Sequence, residues 1–329
     1  MTERSSLLQG VQIGKEATKG TAVSCSTLLN ALEVSLSGWE PTFNRTRPIG
    51  QAVASQITPV YEETPVSVGG TLSYSEAVYL YAGLLHIATA STTDTTGKAW
   101  TFSPSARAES DIYTYTLEQG GSVRAEKASF VHFTGAEITY NRTNGVSVSG
   151  SGRGQALSDN ITLTGSPTAI EERPILGSDI KVYVDATTAS LGTTQFNRDF
   201  EIVHRMNDIR GPVKPLTGST SFVETVQTEP TIQLEMKLER DSQGMGLLTT
   251  ARAGTTQYVR VDCLSTINAG ATTVKYTHRL DFAGKISAGF SKDDEEGVDV
   301  ATWTLDAVYD ANWTKYMNLL VINKVASIV

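Results

Sequence analysis

The residues that could do chemistry are few and far apart. His86, His132, His204 and His278 belong to no HExxH or Cys/His pattern, so none has a ligand partner at metal-binding spacing. Each reads as a strand or loop histidine. Cys25 and Cys263 are the only cysteines. A disulfide framework needs more of them at closer spacing, so both read as reduced thiols of a protein made in a cytoplasm. Ser151-Gly152-Arg153-Gly154 is glycine-rich, but no Gly-Lys-Ser/Thr follows to cradle a phosphate. It reads as a mobile hairpin end. No Gly-x-Ser-x-Gly nucleophile elbow occurs. The sharpest charged cluster is Lys292-Asp293-Asp294-Glu295-Glu296-Gly297. A calcium loop places carboxylates at alternate positions around a central glycine. This run is contiguous and reads as a solvated hairpin tip between 286–290 and 298–305. Its functional reading is repulsion: Asp293, Asp294, Glu295 and Glu296 facing a channel would keep DNA from adhering.

The bulk composition agrees with this lack of site chemistry. The 329 residues carry 35 acidic against 27 basic side chains, a formal net charge of −8. A protein that grips nucleic acid presents a basic stripe, and none is present. Trp39, Trp100, Trp303 and Trp313 are scattered among Thr, Ala and Asp. Base-stacking surfaces interleave aromatics with Arg and Lys, so these tryptophans read as core or interface residues. The N-terminus lacks a signal-peptide pattern, and no apolar run reaches the ~18–20 residues that span a bilayer. The expectation is a soluble protein without a membrane anchor.

The elements that must position these residues are mostly strands. Period-two alternation runs through 66–74, 113–117, 146–148, 232–238, 258–262 and 300–305, the pattern of antiparallel strands with one buried face. Gly69-Gly70 suggests a bulge. Two helices are expected: Ser75 to His86 with Ser75 as cap, and Asp241 to Arg252 with Asp241 as cap and Gly254 as left-handed stop.

Each helix follows a similar strand, and other landmarks recur in the same order. Phe43-Asn44-Arg45 returns as Phe196-Asn197-Arg198, and Leu84-Leu85 as Leu247-Leu248. Phe133-Thr134-Gly135 returns as Phe282-Ala283-Gly284, and Gly145-Val146-Ser147-Val148 as Gly297-Val298-Asp299-Val300. Such order argues for internal duplication: residues 1–159 as one domain, 160–176 as linker, 177–329 as the second. Within each half one segment resists a strand reading, Thr46 to Thr64 and Asp199 to Glu229. Both carry Pro and Gly without periodicity. Loops of this length are usually functional or disordered, and these are expected to be mobile until a partner orders them.

The opening, Val11-Gln12-Ile13-Gly14-Lys15-Glu16-Ala17-Thr18-Lys19-Gly20-Thr21-Ala22-Val23, resembles the start of tail tube proteins of long, non-contractile-tailed bacteriophages. A Gly-x-Glu-x-x-x-Gly-Thr-Ala stretch opens those chains, and Gly14, Glu16, Gly20, Thr21 and Ala22 match it. The order of strand, long loop, strand, helix and strands extends the resemblance over most of the chain. The resemblance implies a mainly β fold, here two tandem tail-tube-like β-sandwich or partial-barrel domains, each with one flanking α-helix. It also implies stacked rings around a lumen, partners in the tape measure, tail terminator and distal tail proteins, and transient passage of double-stranded DNA. The protein would reside in the virion tail after assembly in the host cytoplasm, with no cofactor and no enzymatic activity. Arg47, Gln51, Tyr61, Arg205, Arg210 and Lys214 are the expected contacts between stacked rings. Family members usually form six-fold rings of one domain each. Two domains per chain imply a homotrimeric ring with pseudo-six-fold symmetry, with a homohexamer as the alternative.

Two other classes compete. An adhesin or minor tail protein would need a concave aromatic site, and no aromatic cluster suggests one. A carbohydrate hydrolase would need a positioned pair of carboxylates, which the sequence does not locate.

Overall fold

The computed structural model describes residues 9–121 and 123–329. The first half runs β1 (Gly10–Lys15), β2 (Thr27–Leu29), β3 (Leu32–Leu36), β4 (Glu40–Thr46), β5 (Gln56–Gly70), α1 (Ala77–Leu84), β6 (Ser91–Thr92), β7 (Lys98–Phe102), β8 (Tyr115–Gly120), β9 (Ala125–Asn141), β10 (Gly145–Gly154), β11 (Ser158–Ile161) and β12 (Thr168–Ala169). The second runs β13 (Ile180–Asp185), β14 (Gln195–Phe196), β15 (Asp199–Asn207), β16 (Arg210–Val213), β17 (Glu224–Gln227), β18 (Thr231–Glu239), α2 (Ser242–Ala253), β19 (Gln257–Asn268), β20 (Lys275–Ile286), β21 (Ser291–Glu295), β22 (Val298–Ala307) and β23 (Met317–Asn323). With 52% strand and 8% helix, the fold is mainly β.

Alternation places most of the strands as the sequence suggests; β8 differs, burying Tyr115, Thr116 and Leu117 in succession on both faces. Ile232, Leu234, Met236 and Leu238 of β18 are buried, while Gln233, Glu235 and Lys237 between them are partly exposed. The Asp241 carboxylate caps α2 by accepting from the N–H groups of Gln243 and Gly244, and Gly254 ends it at φ 61. Ser75, by contrast, does not cap α1. The cap residue is Glu76, without a capping side chain; its N–H donates to the Ser73 hydroxyl at 3.0 Å. The Glu76 carboxylate reaches back to accept from the N–H groups of Asn30, Ala31 and Leu32. Nor does α1 flank the fold. All eight of its residues are buried, as an all-round apolar helix requires, whereas α2 buries only Gly244 and Leu247. Gly69-Gly70 forms no bulge: the register with β3 runs unbroken to Leu32↔Gly70, and Gly70 closes the strand at φ 93.

The two segments read as loops are largely strand. β4 and β5 pair from Glu40↔Glu63 to Thr46↔Gln56, so only 47–55 is irregular and the segment is a projecting hairpin arm. In the second half β15 is an interior strand, and β16 pairs with β17 as a shorter arm. The sequence hid the first arm because neither face of β4 is buried, and alternation appears only where one face is. Residues 160–176 are held against the first half: Thr168 and Ala169 pair parallel to β2, and Ile175 is buried.

The pairings recur between the halves. In the first, β1 pairs with β2 and β8, β9 with β8, β10 and β11, and β5 with β10 and β3. In the second, β13 pairs with β14 and β19, β20 with β19, β22 and β23, and β18 with β22 and β15. All are antiparallel. Among the described residues two seams join the halves, β15 on β9 and β23 on β7.

Candidate assembly site

The arms bring together some of the residues expected to contact partners and separate the others. Tyr61 and Lys214, one from each arm, meet: the Lys214 ammonium sits 3.9 Å from the Tyr61 ring centroid, a cation–π contact. Beneath them the Glu63 carboxylate, itself buried, pairs with Lys214 at 3.4 Å and with Arg153. The Glu62 N–H donates to the Thr220 carbonyl at 2.7 Å, so the base of the first arm is tied to the second.

Arg205 and Arg210 lie elsewhere, because their segment is not a mobile loop. Arg205 stands in β15 between the carboxylates of Glu137, at 2.8 Å, and Glu235, at 2.5 Å. It bridges the neighbouring strands β9 and β18. Arg210 is buried, and its guanidinium donates to the Ser110 carbonyl inside the chain. Arg47 and Gln51 sit in the irregular tip of the first arm, exposed. That arm also exposes Phe43, Ile57 and Val60, and Ile49 at its tip. The acidic run Asp293 to Glu295 forms β21 rather than a bare turn, with the reversal at Glu296-Gly297. Lys237 lies against the carboxylates of Asp293 and Glu295.

The residues of the opening motif form a clasp. Glu16 is buried. Its carboxylate accepts from the Gly20 N–H at 2.8 Å, the Phe130 N–H at 2.8 Å, and the hydroxyls of Thr114 and Thr116 at 2.7 and 3.0 Å. Phe130 is where β9 bends, with φ at 52°, an unfavourable conformation for a bulky side chain. The bend lets β9 leave β8 and join β10. Gly20 has φ 77, and a Cβ there would lie 3.1 Å from the Phe130 ring. The second half repeats the device, unseen in the sequence. Asp185 ends β13 and accepts from the N–H groups of Gly192, Thr193 and Thr194, with Gly192 at φ 95. Glu against Asp and a longer insertion concealed the match. The signal that could have found it is an acid at the end of a first strand followed by Gly-Thr.

The other candidate groups are locked in the interior. His204 and His278 are fully buried, and burial pushes their pKa values down to about 3 and about 4. His132 falls to about 4 for the same reason. Burial lifts the Cys25 thiol to about 12 and Cys263 well above its ordinary range; a thiol so held is a poor nucleophile. Among the described residues no three His, Cys, Asp or Glu side chains gather as a metal site, and no helix is long and apolar enough to cross a membrane.

No protein-family model matches the sequence, and no curated protein is significantly similar to it. The reading of function therefore rests on the chain itself.

Proposed function

We propose that this protein is a structural tail tube subunit that polymerises into stacked rings around a lumen. The observation that carries the reading is the recurrence of one order of antiparallel pairings in both halves, each with an arm between its third pairing strand and the strand before its helix. A ring can take its equivalent segments from separate chains or from repeats within a chain, and a chain with two copies supplies two positions. Three chains then complete a pseudo-six-fold circuit. The tape measure protein would occupy the lumen during assembly and duplex DNA would pass through it at ejection, with terminator and distal proteins closing the ends. An acidic wall suits this: a basic one would bind the phosphates along the whole tail.

Electron microscopy of the concentrated protein, with native mass spectrometry of released rings, tests the proposal. Rings or tubes with three chains per ring are expected. Monodisperse small particles at every concentration would remove the proposal. Six chains per ring would mean that one half builds the wall and the other decorates it. Retention of assembled tubes on duplex DNA at moderate salt would count against the acidic lumen.

A further inference from the structure

Of the two seams between the halves, the one made by β15 is complete within the chain, and the chain also carries the unmatched parts of a second such contact. In the complete contact, β15 pairs with the outer edge of β9 from Glu201↔Asn141 to Met206↔Ala136. The chain then continues into the β16–β17 arm, which folds onto the first half. The Ile209 N–H donates to the Thr134 carbonyl at 2.9 Å. Phe222, fully buried, packs 5.1 Å from the Phe130 ring and 5.5 Å from the His132 ring, centroid to centroid.

The unmatched parts occupy corresponding places. The first half repeats the donating side: β3 lies on β5 as β15 lies on β18, and the chain continues into β4 and an arm. Among the described residues β3 and β4 each pair with β5 alone. The arm's apolar residues stay in solvent, Trp39 at 53% exposure, Phe43 at 40%, Ile57 at 55% and Val60 at 48%. The second half repeats the accepting side: β21 lies on β22 as the end of β9 lies on β10, and the other edge of β21 pairs with no described strand. One chain thus ends in a donor without an acceptor and an acceptor without a donor.

We infer that β3 and the β4–β5 arm of one copy dock on β21 and the adjoining face of β20 in a second copy. The contact continues between chains the seam that β15 and its arm make on β9 within one. Open strand edges seek partners of this kind, and a head-to-tail contact repeats until a ring closes or a filament grows. Charge agrees with the choice of partner. Residues 41–61 carry Arg45 and Arg47 and no acid, while β21 and its turn carry Asp293, Asp294, Glu295 and Glu296. A buried Phe222 in the second arm and an exposed Phe43 and Ile57 in the first are then the same design, satisfied inside the chain in one case and between chains in the other. The inference rests on the proposal that the protein polymerises, and it locates the lateral contact.

Photo-crosslinking of the full chain tests it. Phe43 and Ile57 are replaced one at a time by benzoylphenylalanine, light and ¹⁵N-labelled chains are mixed, and the assemblies are irradiated and digested. Light–heavy crosslinks from both positions to peptides within 275–316 are expected. Assemblies whose crosslinks run instead to another arm, to the first half, or only within one chain would overturn the inference while leaving polymerisation intact. An unmodified chain that stays monomeric at every concentration would overturn both. As a second measure, the double variant Ile57→Glu/Val60→Glu should raise the concentration needed for assembly at least tenfold with an unchanged melting temperature. Unimpaired assembly of that variant would also defeat the inference.

Discussion

The hydroxyl of Tyr81, in the middle of α1, lies 2.7 Å from Nε2 of His278 in β20, 197 residues further along the chain. Both side chains are completely buried. The Tyr140 ring of β9 packs 5.9 Å from His278, and His204 of β15 packs 6.1 Å from Phe282. The two halves therefore share one interior, with α1 of the first half hydrogen-bonded to a strand of the second. Tyr81→Phe keeps the ring and leaves Nε2 without a partner, a cost of about 1–3 kcal/mol. Urea denaturation should show that loss in a single transition reported alike by both halves. Two separate transitions in the native chain would contradict the shared core.

Acid should unfold the protein through its buried histidines. In the folded state His132, His204 and His278 titrate at about 4, 3 and 4, below the ordinary value of ~6.5. Each therefore takes a proton first in the unfolded chain. The stability is full above pH ~6.5 and falls as pH drops towards 4, by roughly 2 kcal/mol for each histidine at pH 5. His204 has both ring nitrogens without hydrogen bonds among the described residues. His204→Leu should leave stability at pH 7.5 equal or higher and make the decline between pH 6.5 and 5 shallower, read as melting temperature against pH. An unchanged slope would show that another group drives the acid transition.

The Glu16 clasp predicts an unusually costly isosteric change. Both carboxylate oxygens accept, one from Phe130 and Thr116 and the other from Gly20 and Thr114. Glu16→Gln turns one acceptor into a donor that faces a donor. The expected loss is about 2–4 kcal/mol, since bonds to a charged group are stronger and an orphaned buried partner adds its own penalty. Chemical denaturation of the variant against the native chain measures it, and a loss under ~0.5 kcal/mol would refute the role.

Two helix glycines should respond to alanine with opposite signs. Ordinarily Gly→Ala inside a helix stabilises by up to ~1 kcal/mol. Gly246 in α2 has open space around its Cβ position, so Gly246→Ala should follow that rule. Gly83 in α1 lies under two rings: a Cβ would come within 2.6 Å of Tyr115 and 2.9 Å of Phe133. Gly83→Ala should therefore destabilise, by about 1–3 kcal/mol as overpacking does. Thermal melts of the two variants in parallel decide the matter.

The mainly β class, most of the strands with one buried face, and helix α2 with both its caps are legible in the order of residues alone. These features are local. Alternation along Ile232 to Leu238 follows from burial of one face, and Asp241 and Gly254 act within one turn of their own helix. The tertiary structure alone decided the rest. Thr46 to Thr64 became an arm and Asp199 to Asn207 an interior strand: β4 buries neither face and β15 buries both at Ile202 to His204, so periodicity carried no signal in either. Arg210 left the set of surface candidates because the second arm folds back and buries it against Ser110. The Glu16 clasp stayed hidden because Phe130, Thr114 and Thr116 are distant in sequence, and the Asp185 clasp because Asp replaces Glu and a longer insertion precedes Gly192-Thr193. Such contacts depend on which strands meet, and that is settled only by pairings between segments far apart in the chain.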